Sequence, residues 1–140
     1  GHPDSFRAFG RADAAGHLHL RVAHYLRDDA LEAVIGAGLV AGTGSEWLRF
    51  GGIKFFLDGS LGGRSAALRP ETAYLDRTER GVLLFDHLGL EAKLALCREQ
   101  QLPVALHAIG DAAIEQALNA IEAVARRAGA WSPPAPRLEH

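Results

Sequence analysis

The amino-acid sequence predicts an α/β fold in which short strands of a parallel sheet alternate with helices. Segments with period-two alternation or β-branched residues take turns with segments whose apolar residues repeat at helical spacing. Glycine and proline separate the two kinds of segment. A chain of 140 residues, 48% of them hydrophobic, is long enough to bury one core. This order is typical of a parallel sheet that is either doubly wound or closed into a barrel.

Strand and helix signals recur four times along the chain, and the last helix is missing. Residues 1–16 show no clear period, so we expect a loop, a frayed end or an added remnant there. The predicted strands are short and bounded by turn residues: His17–Leu26, Gly52–Asp58, Pro103–His107 and Arg137–His140. The predicted helices have one apolar face: Asp28 to about Leu39, His87–Gln101 and Asp111–Ala128. Residues 59–86 form a long aperiodic loop, and such loops are usually functional.

Composition excludes several classes of function. The formal net charge of -2 gives no reason to expect nucleic acid or an anionic membrane as a partner, since both attract basic surfaces. No apolar run approaches the roughly 20 residues of a membrane-spanning helix, and no signal peptide is visible, so we expect a cytoplasmic protein. The single cysteine, Cys97, excludes an intramolecular disulfide and is expected to be a small buried residue.

Three chemistry-bearing residues lie at or near the ends of three successive predicted strands: Lys54, His107 and His140. Functional groups of α/β proteins gather at this edge of the sheet. A lysine inside an apolar strand is costly to bury as a free ammonium, so we expect it to be paired, deprotonated or modified. Asp58 is one candidate partner. A histidine at a strand end is a good neutral metal ligand, but spacing alone leaves a purely structural role open.

Three longer motifs extend this interpretation. The runs GIKFFLDGSLGGRSAAL (Gly52–Leu68), HAIGD (His107–Asp111) and RLEH (Arg137–His140) stand in this order along the chain. Together they resemble signatures of the amidohydrolase superfamily, most closely the branch called amidohydrolase family 3. The resemblance covers about residues 17–140. It implies part of a TIM-type barrel, a fold of about 200–250 residues or more, with this chain supplying about strands three to six.

The resemblance also implies roles for individual residues. Lys54 corresponds to the family's fourth-strand lysine, which can be carbamylated and bridge metals, and His107 and His140 correspond to ligands on the next two strands. One or two divalent ions, zinc above all, would activate a water that hydrolyses non-peptide carbon–nitrogen bonds of a small amide-type substrate. The loop residues that would border the substrate pocket are Asp58, Ser60, Arg64 and Ser65. Gly63 and Ser65 stand where family members more often have serine and threonine.

Other parts of the family's metal site have no counterpart in the sequence. The pair His17 and His19 lacks the setting of the family's first-strand His-x-His pair, and the family's eighth-strand aspartate is missing. Asp111 is best interpreted as a helix N-cap. We therefore expect the isolated chain to be inactive and to depend on the remainder of a longer parent chain. Because Leu-Glu-His also begins a common purification tag, His140 can be native or added.

Two alternatives to the hydrolase stay open. Residues 33–41 (AVIGAGLVA) match a G-x-G-x-x-A dinucleotide motif through Gly36 and Gly38, and Asp58 lies where a ribose-binding acid would stand. That motif should follow a strand and open a helix, whereas the residues before Gly36 have helical spacing. The second alternative is a non-catalytic α/β segment whose open sheet edges pair with another copy to give a homo-oligomer.

Overall fold

The strands of this protein form a single parallel sheet in chain order. The computed structural model describes residues 1–75, 79–131 and 134–140. Its strands are β1 (Val22–Arg27), β2 (Leu48–Phe56), β3 (Val104–His107) and β4 (Arg137–Glu139), and their order in the sheet is β1-β2-β3-β4. Its α-helices are α1 (Pro3–Ala14), α2 (Leu31–Gly36), α3 (His87–Glu99) and α4 (Asp111–Ala128). The predicted α/β fold is confirmed, and sequential order without reversal is that of a partial (β/α) barrel.

The two faces of the sheet differ in character because side chains alternate along each strand. The face that carries Ile53, Phe55 and Leu106 is fully buried and joins the hydrophobic core. On α3, Leu90, Leu94 and Cys97 are completely buried against this core. The small alanines of α4 allow close approach to the same layer: Ala113, Ala117 and Ala120. The opposite face of the sheet carries Lys54, His107, Arg137 and Glu139.

A bulge in β2 sets which residues point to each face. Tyr25 pairs with Gly52 although its neighbour His24 pairs with Phe50, so Gly51 is an extra residue. Gly52 has a φ of +140°, and a Cβ there would lie 2.2 Å from the carbonyl oxygen of Pro103. Only glycine fits this position. Without the extra residue, every side chain after it would change face, Lys54 included.

The N-terminal segment departs from expectation. Residues 1–16 were expected to be irregular, but Pro3–Ala14 form α1, with proline in the first turn and His2 as N-cap. Phe6 and Phe9 lie three residues apart on this helix, and their rings contact His24 of β1. None of the α1 residues is buried. Phe6 and Phe9 are the large apolar residues of this helix, and two such residues are too few to give the sequence a clear helical period.

Several boundaries also move. The first strand begins at Val22, the first residue paired with β2, and His17 and His19 are exposed outside it. The helix expected from Asp28 to Leu39 is a 3-10 turn followed by the short α2. Strand β2 begins at Leu48, four residues before the predicted start, and ends two residues before Asp58. The expected burial of Cys97 is confirmed, and that burial raises the pKa of its thiol to about 12.

The glycine-rich segment does not have the setting of a dinucleotide-binding loop. Gly36 ends α2, and Gly38 follows it with a φ of +61°. A dinucleotide motif would run from a strand into the start of a helix. This segment instead runs out of the end of a helix.

None of the helices formed by the described residues has both the length and the apolar character needed to cross a membrane.

We predict that the buried side of α3 dominates its contribution to stability. Leu90→Ala should lower the free energy of unfolding by about 2–5 kcal/mol, because Leu90 is completely buried and its truncation leaves a cavity. Leu88→Ala, on the same helix at 77% exposure, is the matched control and should change it by less than about 0.5 kcal/mol. Urea unfolding of the two variants measures the difference; equal losses would contradict this packing.

Candidate functional site

The candidate site lies at the carboxyl ends of β2, β3 and β4, on the face of the sheet away from the core. In the register, Phe56 pairs with His107, and His107 pairs with Glu139. Two residues earlier on each strand, Lys54 pairs with Ala105, and Ala105 pairs with Arg137. Residues paired in this way point to the same face of a parallel sheet. The fold therefore brings the predicted lysine and histidine to one surface.

Lys54 is paired with a carboxylate of β4. Its side chain is buried, and its Nζ donates to Oε2 of Glu139. The small side chain of Ala105 lies between the two strands at this level, which lets the lysine reach across β3. Asp58, the partner considered from the sequence, is not the one used. The ammonium also lies 5.4 Å from the centroid of the Phe56 ring, within cation–π range.

Glu139 holds two cations at once. Besides Lys54, it accepts hydrogen bonds from Nε and Nη2 of Arg137, at 3.0 and 2.6 Å. The Lys54 ammonium and the Arg137 guanidinium hold the pKa of Glu139 at about 2. Sequence reasoning missed this residue. The alternation of RLEH could have placed it on the face of Arg137, but its pairing with Lys54 depends on the order and register of three strands.

The two predicted histidine ligands are neighbours. The ring centroids of His107 and His140 are 4.9 Å apart, in an edge-to-face arrangement. The other side of His107 contacts the ring of Phe56 at 5.3 Å. His140 is exposed and follows directly after β4 with a φ of +78°. Lys54, Phe56, His107 and His140 thus form a continuous row of contacts along the sheet edge.

Nε2 of His107 already has a hydrogen-bond partner. It lies 2.7 Å from the carbonyl oxygen of Gly59 and 3.5 Å from Oδ1 of Asp58. Sequence reasoning did not identify Gly59, because the group involved belongs to the backbone and leaves no side-chain signal.

Asp58 is buried beneath the site. Its carboxylate accepts hydrogen bonds from the backbone N–H groups of Ala67 at 2.9 Å, Ile109 at 3.1 Å and Gly110 at 2.7 Å. Its side chain has no exposed surface. A role at the border of a pocket was expected for Asp58, but the structure places its oxygens against the backbone of two loops. The carboxylate therefore connects the loop after β2 to the loop after β3.

The other loop residues expected near a substrate are Ser60, Arg64 and Ser65, which follow Asp58 along the chain. Ser60 and Ser65 bond to each other: the N–H of Ser60 donates to Oγ of Ser65 at 3.1 Å, and the N–H of Ser65 donates to the carbonyl of Ser60 at 3.0 Å. Ser60 is exposed, while Arg64 and Ser65 are half-buried. Arg64 has a φ of +53°, in the left-handed region. The two serines thus close a tight turn.

A second aspartate ties the same loops together. The carboxylate of Asp111 accepts from the N–H of Arg69 at 2.8 Å and from the hydroxyl of Thr72 at 2.6 Å. Asp111 was expected to be an N-cap, but Gly110 has that position and Asp111 is the first helical residue. A Cβ on Gly110 would lie 1.9 Å from the carbonyl oxygen of Ala67, so a larger residue would separate the loops.

The donor set fits a divalent metal in part. His107 and His140 supply adjacent imidazoles, the nitrogen ligands that zinc prefers. Lys54 is not a ligand while it is an ammonium bound to Glu139, so it would have to be modified first. Across the described ranges, His, Cys, Asp and Glu side chains form no group of three that could hold a metal ion.

Comparisons with known proteins agree with the motifs. A sequence model described as "Amidohydrolase family" matches residues 1–140. "Putative amidohydrolase YtcJ" of Bacillus subtilis is 38% identical over 122 residues, which are 83% of this chain and 21% of that protein. The Arabidopsis thaliana "Protein LONG AFTER FAR-RED 3" is 41% identical over 86 residues, 61% of this chain and 14% of that protein.

Two solved structures of metal-dependent hydrolases also resemble this chain. A crystal structure of an uncharacterized metal-dependent hydrolase from Pyrococcus furiosus superposes with a TM-score of 0.74 at 33% identity, covering 84% of this chain and 25% of that one. A crystal structure of an uncharacterized metal-dependent hydrolase from Pyrococcus horikoshii OT3 gives a TM-score of 0.73 at 34% identity, over 84% of this chain and 24% of that one. The chain therefore spans only about a quarter of these structures.

We predict a pH-dependent contribution of Asp111 to stability. The Thr72 hydroxyl and the Arg69 backbone N–H hold the pKa of Asp111 below its usual value. The stabilisation that the Asp111 carboxylate contributes is therefore fully present above the ordinary aspartate pKa of about 3.9. It is lost as the pH falls through the lowered pKa that Asp111 has in the folded protein. Asp111→Asn should have a lower free energy of unfolding than the unmutated chain near pH 7, and this gap in stability should shrink toward pH 2.

Urea unfolding at several pH values measures that gap. Glu115→Gln is the control, because Glu115 lies on the same helix with its carboxylate 3.8 Å from the same Arg69, in an exposed pair. It should change stability little at any pH. A gap for Asp111→Asn that stays constant from pH 7 to pH 2 would contradict the prediction.

Proposed function

Because the chain belongs to the amidohydrolase family, we propose that it forms the part of a metal-dependent hydrolase that supplies three of its metal ligands. These ligands are Lys54, His107 and His140. The observation that carries the proposal is the contact between the His107 and His140 rings, 4.9 Å apart, at the edge of the sheet that Lys54 faces. The carboxyl ends of parallel strands are where barrel enzymes carry their active sites.

The proposed reaction is hydrolysis of a non-peptide carbon–nitrogen bond in a small amide-type substrate. One or two divalent ions, with zinc as first candidate, would lower the pKa of a bound water and polarise the carbonyl of the substrate. His107 and His140 would hold the metal through neutral imidazole nitrogens. Ser60, Arg64 and Ser65 lie on the loop beside His107 and would border the substrate, with Asp58 fixing that loop from below.

Lys54 is proposed to take part as a carbamate. The Lys54 ammonium would first lose a proton to solvent. The neutral amine would then attack the carbon of carbon dioxide, and a second proton would leave the nitrogen to solvent, which gives an anionic carboxylate joined to Nζ by a new N–C bond. That change turns a buried cation into an oxygen ligand. Glu139 would then have to release Lys54, because two anions at that distance repel each other. Arg137, which already donates twice to Glu139, would keep that carboxylate neutralised.

The remaining ligands are proposed to lie in other parts of a longer protein. The chain covers 21% of the B. subtilis relative and 25% of the P. furiosus structure, and it has no counterpart of the family's first-strand histidine pair or eighth-strand aspartate. We place β1 to β4 as about strands three to six of that barrel. The exposed side of β4 would join the next strand of the barrel, or another copy of this chain when the chain is alone.

Metal binding tests the proposal. In the longer protein, His107→Ala should weaken zinc affinity by at least about 100-fold, because losing a ligand should cost as much as or more than losing its supporting residue. His19→Ala is the matched control, since His19 is an exposed loop residue. Calorimetric titration with Zn²⁺ measures both. Equal affinity of the two variants, or a purified protein that carries a nicotinamide or flavin in place of metal, would contradict the assignment.

We predict that the 140-residue chain alone binds Zn²⁺ weakly or not at all and hydrolyses nothing measurable, because its ligand set is incomplete. Metal-dependent turnover of N-acyl or N-formyl compounds by this chain would refute the prediction. A matching His107→Ala chain controls for contaminating hydrolases.

A further inference from the structure

The hydrogen bonds around His107 determine which of its two ring nitrogens is free. The acceptor at 2.7 Å from Nε2 is a backbone carbonyl, that of Gly59, and the atom at 3.5 Å is a carboxylate oxygen of Asp58. A carbonyl oxygen and a carboxylate oxygen accept and do not donate. The hydrogen must therefore be on Nε2. In a neutral imidazole that leaves the lone pair on Nδ1.

Nδ1 of His107 is also not used elsewhere. Within residues 1–75, 79–131 and 134–140, no hydrogen bond reaches this atom. The His107 ring is held between the Phe56 ring at 5.3 Å and the His140 ring at 4.9 Å. Its orientation is thus set on two sides by rings and on one edge by the Gly59 carbonyl.

The position of the Gly59 carbonyl depends in turn on Asp58. The three backbone N–H groups that Asp58 accepts belong to Ala67, on the far side of the loop, and to Ile109 and Gly110, just after His107. The carboxylate thereby fixes both sides of the contact between Gly59 and His107. Gly59 itself cannot be larger, because a Cβ would lie 2.0 Å from Oγ of Ser65. Its N–H donates to the carbonyl of Ser65 at 3.1 Å, which completes the loop.

We propose that Asp58 is a positioning residue: by anchoring Gly59 against His107, it holds the imidazole as the Nε2–H tautomer and directs Nδ1 to the metal. This rests on the proposed function, in which His107 is a ligand. A hydrogen bond from the distal ring nitrogen to a carbonyl or carboxylate fixes the orientation of a metal-binding histidine and raises its basicity. Asp58 therefore serves the ligand from a buried position without contacting substrate.

Long-range ¹H–¹⁵N NMR of the 140-residue chain, without metal at about pH 8.5, distinguishes the two tautomers of a neutral histidine. His107→Gln assigns the signal. In the unmutated 140-residue chain, the Nδ1–H form of His107 should be below about one-tenth of the population, since a hydrogen bond of ordinary strength shifts the ratio of the two tautomers by about tenfold. In Asp58→Asn, where one carboxylate oxygen becomes an NH₂ donor, the Nδ1–H form should rise severalfold.

Asp86→Ala is the matched control. Asp86 is also an aspartate that accepts a backbone N–H, that of Gly89 at 2.7 Å, but it caps α3 far from His107 along the chain. Its loss destabilises the chain without touching Gly59, so the His107 tautomer should not change. A His107 that is mainly Nδ1–H in the unmutated 140-residue chain would overturn the proposal, even if Asp58→Asn failed to fold. A folded Asp58→Asn chain with an unchanged His107 tautomer would also overturn it. So would an equal rise of the Nδ1–H form in Asp58→Asn and Asp86→Ala.

Addition of Zn²⁺ to the longer protein separates this inference from the proposed function. The expected result is a shift of the Nδ1 resonance of His107 with Nε2–H retained. If the metal-free tautomer is Nε2–H and sensitive to Asp58, but Zn²⁺ leaves Nδ1 unchanged, Asp58 sets the tautomer as proposed, while the assignment of His107 as a metal ligand fails. If Zn²⁺ shifts Nε2 and that nitrogen loses its hydrogen, His107 is a ligand and the positioning role is overturned.

Discussion

The buried carboxylate of Asp58 joins the ends of two neighbouring strands, and the geometry of the candidate site depends on it. Three backbone N–H groups from two loops converge on its two oxygens at 2.7 to 3.1 Å. Each of those N–H groups would be costly to leave unpaired in the interior. The loop after β2 is therefore tied down over the start of α4, and Asp111 repeats the connection from the other side.

The polar face of the sheet carries a cluster of charged side chains at the candidate site. A lysine, a glutamate and an arginine share this face, and the Lys54–Glu139 pair is partly shielded from water. A pair of this kind is a weak contribution to stability, but removing one partner leaves a buried charge. A charged cluster on a barrel-like sheet is therefore better explained by function than by stability. In the proposed enzyme, Lys54 would exchange its positive charge for the negative charge of a carbamate, and Glu139 would keep Arg137 as its cationic partner.

Much of the fold follows from local patterns, and the failures have physical causes. The bounds of α4 were predicted as Asp111–Ala128, because a wide apolar stripe and a terminal glycine agree over many residues. The start of β2 was misplaced because its two glycines, which form a bulge, resembled a strand boundary. Helix α1 was missed because Phe6 and Phe9, which contact His24, are too few large apolar residues to give a recognisable helical period.

The site was predictable only as far as side chains carry the signal. Lys54, His107 and the loop after β2 stood out from the sequence, and the order of their motifs pointed to the family. Glu139 did not, because its pairing with Lys54 crosses an intervening strand and joins residues 85 positions apart. The Gly59 carbonyl and the three N–H groups on Asp58 belong to the backbone, which has no residue type to recognise. Tertiary structure is needed to bring them together.

Anomalous diffraction at the zinc edge, from crystals of the longer protein grown with Zn²⁺, shows whether Lys54, His107 and His140 hold the metal. We expect a peak bonded to Nδ1 of His107 and to an imidazole nitrogen of His140, with density for a carbamate on Lys54 completing that side of the site. A metal bound elsewhere, with Lys54 still paired to Glu139 and both histidines unligated, would contradict it.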